Sequence, residues 1–129
     1  EYLTSSRLGQ GAFHLGVLDA YKNRCAVTGE RVRPVLEAAH IKPFSLEGPN
    51  IVANGLSLRA DVHKLFDRGY VTVGHDYRFH VSSRLKTEFN NGVDYYKYQG
   101  EKLLVLPDKG VDKPAREYLE WHNDEVFRA

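Results

Sequence analysis

The sequence predicts an α+β domain built around a strand–strand–helix unit within residues 35–68. Alternating apolar side chains over Val35–Ile41 are typical of a half-buried strand. A second short alternating run, Gly55–Ala60, predicts a neighbouring strand. Asp61 is then a natural cap for a helix over Val62–Asp67, because its side chain can accept a hydrogen bond from the first turn.

Composition limits the classes of protein to which the chain can belong. Its 129 residues are 42% hydrophobic and 27% charged, which is typical of one globular domain and not of a disordered chain. The net charge of +1 means that nucleic acid would be bound through a local basic patch rather than a global positive field. One cysteine excludes a disulfide framework and a four-cysteine zinc knuckle, and it fits a reducing compartment. No apolar run is long enough to span a bilayer.

We expect residues 1–10 to be a linker or arm and residues 11–129 to form the domain that contains this unit. Apolar residues spaced three and four apart predict an amphipathic helix over Ala12–Asn23. Cys25–Gly29 is predicted to be a short strand and turn, with Cys25 buried and inert. The chain has no methionine, so we expect it to be a piece of a longer protein.

After the central unit, the sequence predicts several short helices and strands that pack around it. Tyr70–Val73 and Tyr77–Val81 alternate on either side of a glycine-containing turn, which is typical of a β-hairpin. A short helix is expected over Ser83–Asn91. Lys102–Leu106 is predicted to be a strand that stops at a proline, and Lys113–Phe127 is predicted to be the last helix, so the chain would end in a strand–helix extension.

Four polar residues in and around the central unit are candidates for chemistry: His40, Asn54, His63 and Asp67. At a spacing of four, His63 and Asp67 share one helix face, and an imidazole and a carboxylate placed there can hold a divalent cation. His40, at the end of a strand, would face that cation across a gap wide enough for one phosphodiester. A neutral His40 could then take a proton from an attacking water molecule.

These residues stand in motifs that resemble one branch of the HNH endonucleases, the branch found in predicted bacterial restriction endonucleases. The central motifs are Ala38-Ala39-His40-Ile41-x-Pro43, Asn54-Gly55-Leu56-x-Leu58 and Asp61-Val62-His63-x-Leu65-Phe66-Asp67-x-Gly69. Flanking motifs of the same branch are Arg7-Leu8-Gly9-Gln10-Gly11-x-Phe13, Cys25-Ala26-Val27-Thr28-Gly29, Leu104-x-Leu106-Pro107 and Leu119-x-Trp121-His122. The likeness covers nearly the whole chain after Ser6.

The resemblance implies a ββα-metal core and a role for each motif residue. His40 would be the general base, Asn54 would fix the loop that holds His40, and His63 would bind one divalent metal ion (Mg, Mn, Co, Ni or Zn). Many family members carry a metal-binding Asp or His directly before the base, where this chain has Ala39. Glu37 and Asp67 are both candidates for the missing ligand, and the sequence does not separate them.

The resemblance also implies the substrate and the setting. We expect a metal-dependent DNA endonuclease domain of a bacterial restriction or defence protein, cytoplasmic, with no membrane partner and with a further DNA-recognition domain elsewhere in the full-length chain. A break in both strands needs two sites or two visits, which is compatible with a homodimer. Four cations near the proposed site are candidates for phosphate contacts: Lys42, Arg59, Lys64 and Arg68.

A rival interpretation is a non-catalytic DNA-binding or assembly module that keeps this core for stability and has lost the metal. Ala39 favours it. RNA is an alternative substrate. Asp61 is read as a helix cap first and as a ligand second.

Overall fold

The structure, a computed structural model, describes residues 5–129, and for residues 5–8 only the backbone. The first helix, α1, spans Ser5–Ala20 and therefore begins earlier than predicted, so residues 5–10 are helical where a linker was expected; residues 1–4 of that linker lie outside the described residues. It also ends earlier than predicted, because Lys22 and Asn23 both adopt left-handed backbone angles (φ 59° and 54°) that a helix cannot continue. Its apolar face is buried: Phe13, Val17 and Leu18, followed by Tyr21 after the helix end.

The central unit has the predicted order of two strands and a helix. Strand β1 (Leu36–His40) pairs antiparallel with β2 (Gly55–Arg59), in a register that sets His40 opposite Gly55. Helix α2 (Ala60–Asp67) follows β2 directly. Since the first four residues of β2 are buried and α1 packs against both strands, the pair is held between helices rather than exposed on one side.

The beginning of α2 differs from the prediction. Arg59, not Asp61, occupies the capping position, and it makes no capping hydrogen bond from its side chain. Asp61 lies in the first helical turn, where its carboxylate accepts hydrogen bonds from the Arg59 guanidinium (2.7 and 3.1 Å) and the Tyr95 hydroxyl (2.7 Å). A negative charge there is favoured by the helix dipole, so Asp61 stabilises α2 without capping it.

The segment before β1 also departs from expectation. Cys25–Gly29 forms turns and not a strand. Cys25 is fully buried, as predicted, and its sulfur lies within hydrogen-bonding distance of the backbone N–H groups of Thr28 (3.4 Å) and Arg59 (3.3 Å). The cysteine therefore ties the turn to the end of β2.

The second half wraps the core with short elements. The predicted hairpin is present as β3 (Val71–Val73) and β4 (Phe79–Val81), and the predicted short helix is α3 (Ser83–Phe89). A one-turn helix that was not predicted, α4 (Val93–Tyr96), follows it, and the last helix, α5, is confined to Arg116–Glu125.

Lys102–Leu106, predicted to be a strand, pairs with the hairpin at only one position, the bridge between Arg78 and Lys102. Leu103 and Val105 are buried and Leu104 is 63% exposed, so the side chains alternate between buried and exposed as predicted. The segment nevertheless lacks the continuous hydrogen-bonded pairing of a strand. No helix in the described part of the chain has both the length and the apolar character needed to cross a bilayer.

Candidate active site

His40 is held at the end of β1 by two contacts. Its ring stacks on that of Phe13 from α1, with centroids 4.0 Å apart and planes 10° apart. Its Nε2 lies 2.7 Å from Oδ1 of Asn50, in the loop between β1 and β2. An amide oxygen only accepts hydrogen bonds, so Nε2 carries the proton in this arrangement.

Asn54 is fully buried and acts on the backbone rather than on the His40 ring. Its side-chain amide donates to the carbonyl oxygens of Lys42 (2.9 Å) and Pro49 (3.0 Å), and its Oδ1 accepts from the Lys42 N–H (2.9 Å). The Asn54 carbonyl also accepts from the backbone N–H of Ile41 (2.9 Å). These bonds fasten both ends of the β1–β2 loop, which contains Asn50.

A cleft of about 280 Å³ opens beside His40. Its lining brings together both candidate histidines and the carboxylate of Asp67. The lining residues come from β1, the loop that follows it and α2: Ala38, His40, Pro43, Phe44, His63 and Asp67. A larger cavity of about 640 Å³ lies between α3 and α4, but its lining contains no histidine and no carboxylate. Chemistry therefore favours the smaller cleft.

His63 lies between the two carboxylates that the sequence could not separate. Its Nδ1 is 2.7 Å from Oε1 of Glu37, and its Nε2 is 3.2 Å from Oδ2 of Asp67. Burial disfavours the charged ring and lowers the pKa of His63, but the hydrogen bonds and negative charges of Asp67 and Glu37 outweigh it, so that this pKa is raised above its usual value.

The two carboxylates are not equivalent. Asp67 lines the cleft that contains His40, and Glu37 does not. Because they bind opposite edges of one imidazole, they cannot both join His63 around the same ion. Accordingly, no group of three or more His, Cys, Asp or Glu side chains within the described residues is arranged to surround a metal.

The four candidate phosphate-binding cations have different surroundings. Lys42 extends over the ring of Trp121, with its ammonium 5.8 Å from the ring centroid. Arg59 is engaged by Asp61 through both of its hydrogen bonds, so its guanidinium serves the fold. Lys64 is exposed on α2, the helix that carries His63, and Arg68 is exposed directly after the end of this helix.

Asn50 and Phe13 are the contacts of His40 that sequence reasoning missed. Phe13 was assigned only to the apolar face of a helix, and nothing in a helical pattern predicts that its ring meets a histidine 27 positions later. Asn50 follows a proline in a loop, which is an ordinary turn pair.

Comparison with known proteins supports the fold of the central unit. The family model described as HNH endonuclease matches residues 25–74, the segment that contains β1, β2 and α2. Residues 25–74 are therefore similar to the HNH endonucleases. The HNH match includes His40, Asn54 and His63, and it ends within the β3–β4 hairpin.

A solved structure supports the fold of a larger part of the chain. The protein named "Modification dependent TagI restriction endonuclease" superposes with a TM-score of 0.60 at 20% sequence identity, over 89% of this chain. The match covers 37% of that protein, so the chain spans little more than a third of its length. None of the curated proteins compared with the chain matches it. The elements flanking the HNH core therefore also have a counterpart in a solved structure.

Proposed function

We propose that the chain is a divalent-metal-dependent endonuclease domain that hydrolyses phosphodiester bonds in DNA. The observation that carries this proposal is the shared cleft: His40 from β1 and His63 with Asp67 from α2 line one opening. Phosphodiester hydrolysis needs a base for the attacking water and a positive centre for the developing charge, and this opening offers residues for both on opposite elements.

His40 is proposed as the general base. With Nε2 bonded to Asn50, the neutral ring keeps its lone pair on Nδ1, which can accept a proton from water. Stacking on Phe13 restrains the plane of the ring. Asn54 serves the same purpose indirectly, because its three hydrogen bonds fasten the loop that supplies Asn50.

His63 and Asp67 are proposed to hold the metal ion, and the residues fit such a role. Imidazole nitrogen and carboxylate oxygen suit Mg, Mn, Co, Ni and Zn, and an ion that keeps several water ligands needs few from the protein. Glu37 would then remain behind His63 and accept a hydrogen bond from its Nδ1, which orients the ring and strengthens it as a ligand. A metal bound there would neutralise charge on the phosphate oxygens and on the leaving group.

For DNA contacts, we propose Lys42, Lys64 and Arg68. They lie two residues after His40, one after His63 and one after Asp67, so a phosphate chain threading the cleft would pass near them. Arg59 is not included, since its guanidinium is paired with Asp61.

We further propose that the domain belongs to a restriction or defence protein in which another domain recognises the DNA. The partial coverage of the TagI endonuclease supports this setting, because most of that protein lies outside the matched region. A single cleft cuts one strand at a time, so a double-strand break would require two copies or two binding events.

The experiment is cleavage of supercoiled plasmid by the intact protein with Mg²⁺, Mn²⁺, Co²⁺ or Ni²⁺, followed by gel electrophoresis. His40→Ala should lower the rate by about a hundredfold or more, the usual contribution of a general base. His75→Ala is the matched control, since this histidine is exposed in the β3–β4 turn and should leave the rate unchanged. Equal rates for wild type and His40→Ala in every metal would refute the proposal, and a preference for RNA would refute the substrate.

The rival function is a DNA-binding or assembly module without catalysis. Ala39 favours it, because a fully buried methyl group stands where many HNH enzymes place a metal ligand. Binding of duplex DNA that neither metal ions nor the His40→Ala substitution alters would support this function.

A further inference from the structure

We infer that Asn50 is a positioning residue that fixes both the tautomer and the direction of the His40 imidazole. The inference deepens the proposed function and rests on it for the consequence in catalysis, but the hydrogen bond itself can be tested without metal or substrate. Its basis is the 2.7 Å contact between His40 Nε2 and Asn50 Oδ1.

The direction of the proton in this contact follows from the chemistry of the two groups. A carboxamide oxygen has lone pairs and no hydrogen, so His40 must donate through Nε2–H. A neutral imidazole carries one N–H, and its other nitrogen, Nδ1, is therefore the basic one. No residue that the structure describes donates a hydrogen bond to Nδ1, so this lone pair is left for a group entering the cleft.

Three further contacts keep Asn50 in place and keep the ring from turning. Asn54 holds the carbonyl of Pro49, the residue directly before Asn50, at 3.0 Å. The Phe13 ring lies parallel to His40 at 4.0 Å and blocks one face of the imidazole. Gly48, two residues before Asn50, approaches the Lys42 carbonyl so closely that an added Cβ would lie 1.8 Å from its oxygen. The loop is thus closely packed, and its amide is a fixed acceptor.

If the ring were free to rotate by 180° about its Cβ–Cγ bond, Nδ1 would exchange places with Cδ2 and Nε2 with Cε1, so a carbon would replace the basic nitrogen. An acceptor fixed on one side disfavours that rotation, because the rotated ring would lose its hydrogen bond to Asn50. Asn50 thus selects one rotamer and one protonation pattern of the proposed base. Asn54 acts on backbone groups alone, which distinguishes the two asparagines.

The test uses nuclear magnetic resonance on metal-free protein labelled with ¹⁵N in histidine, with the His40 signals assigned by their loss in His40→Ala. An imidazole N–H in contact with water exchanges too fast to be seen, whereas one held in a hydrogen bond is observed. Wild type should show the Nε2–H proton of His40 at about pH 8, where an ordinary imidazole is neutral. Asn50→Ala should lose it, and Asn50→Asp should keep it, because a carboxylate also accepts. An unchanged signal in Asn50→Ala would overturn the inference.

Plasmid cleavage gives the second readout. Asn50→Ala should lower kcat roughly tenfold with little change in KM, since one hydrogen bond of orientation is lost and no DNA contact is removed. Asn50→Asp should move the acid limb of the pH–rate profile upward by about one unit, because a carboxylate beside Nε2 stabilises the charged ring. His63 and Asp67 also line the cleft, and Lys42 lies two residues after His40 in the chain, but these groups are the same in both proteins and cancel in the comparison.

The two readouts separate the two claims. Loss of the Nε2–H signal in Asn50→Ala with no cleavage by wild type would support the positioning contact and refute the nuclease proposal. Cleavage by wild type with identical pH profiles in Asn50→Asp and wild type would refute the positioning role and leave the nuclease proposal standing.

Discussion

Lowering the pH from about 7 to about 5 should destabilise this protein chiefly through one buried histidine, His122. This residue of α5 is 2% exposed, and its ring stacks on Phe66 of α2 with centroids 3.7 Å apart. Its Nε2–H donates to the Phe66 carbonyl (2.8 Å), and its Nδ1 accepts from the Thr72 hydroxyl (2.7 Å). Burial lowers the pKa of His122 to about 4, although the Phe66 carbonyl favours the proton.

The direction and size of this pH effect follow from the difference between the pKa of His122 in the folded and in the unfolded state. The unfolded chain binds a proton at His122 near pH 6.5, the ordinary value, while the folded chain does so only near pH 4. Acid therefore favours the unfolded state between these values, and stability falls as the pH falls. The full difference corresponds to about 3 kcal/mol, of which about 2 kcal/mol is lost between about pH 7 and pH 5.

The assay is urea unfolding of metal-free protein at both pH values, comparing wild type with His122→Gln. Glutamine can also donate and accept but does not titrate, so its pH dependence should be shallower by about 2 kcal/mol. His75→Gln is the control and should behave like wild type, since His75 is exposed. His63 acts in the opposite sense, because its raised pKa gives stability that is lost as the pH rises, but it is common to all three proteins. Equal losses in wild type and His122→Gln would refute the reasoning.

Three further predictions concern the candidate site. Metal affinity, measured by calorimetry with Mn²⁺, should strengthen as the pH rises through the raised pKa of His63, with release of a proton from the ring; affinity independent of pH would contradict His63 as a ligand. Asn54→Ala should reduce the free energy of unfolding by about 3 kcal/mol, because it leaves two carbonyls and one N–H of the loop without their partner; a loss below about 1 kcal/mol in chemical denaturation would contradict this role. Gly55→Ala should cost about 1–3 kcal/mol and disturb the ring that stacks on His40, since the added Cβ would lie 2.5 Å from Val17 Cγ2 and 3.0 Å from Phe13 Cζ. Gly11→Ala, with no atom within 4 Å, is its control and should be neutral or stabilising; similar thermal shifts for both would show that packing at Gly55 is not tight.

The central unit could be predicted from the sequence because each of its elements has a local signal. Alternating side chains gave β1 and β2, and a spacing of four put His63 and Asp67 on one face of α2. The strand expected over Lys102–Leu106 failed for a non-local reason. Alternation reports which side chains are buried, but a strand also needs one partner strand along its length. Here only Lys102 forms a bridge with the hairpin, and the N–H groups of Leu104 and Val105 bond instead to the carbonyl of Ala26.

Contacts between distant elements were beyond the reach of sequence patterns. Arg59, not Asp61, occupies the capping position of α2. The Asp61 carboxylate instead accepts hydrogen bonds from Arg59 and Tyr95, and Tyr95 belongs to a helix that the sequence did not predict. Likewise, the choice between Glu37 and Asp67 depends on which side of one imidazole each reaches. Side-chain alternation along β1 does not contain that information.

The most direct measurement is the anomalous diffraction of a crystal soaked in Mn²⁺. We expect one strong peak in the cleft, within bonding distance of His63 Nε2 and an Asp67 carboxylate oxygen, on the side that faces His40, with Glu37 still hydrogen-bonded to Nδ1. A peak bound to Glu37 away from His40, or ordered Mn²⁺ only at other sites, would contradict the proposal that His40 and the metal held by His63 act in one cleft.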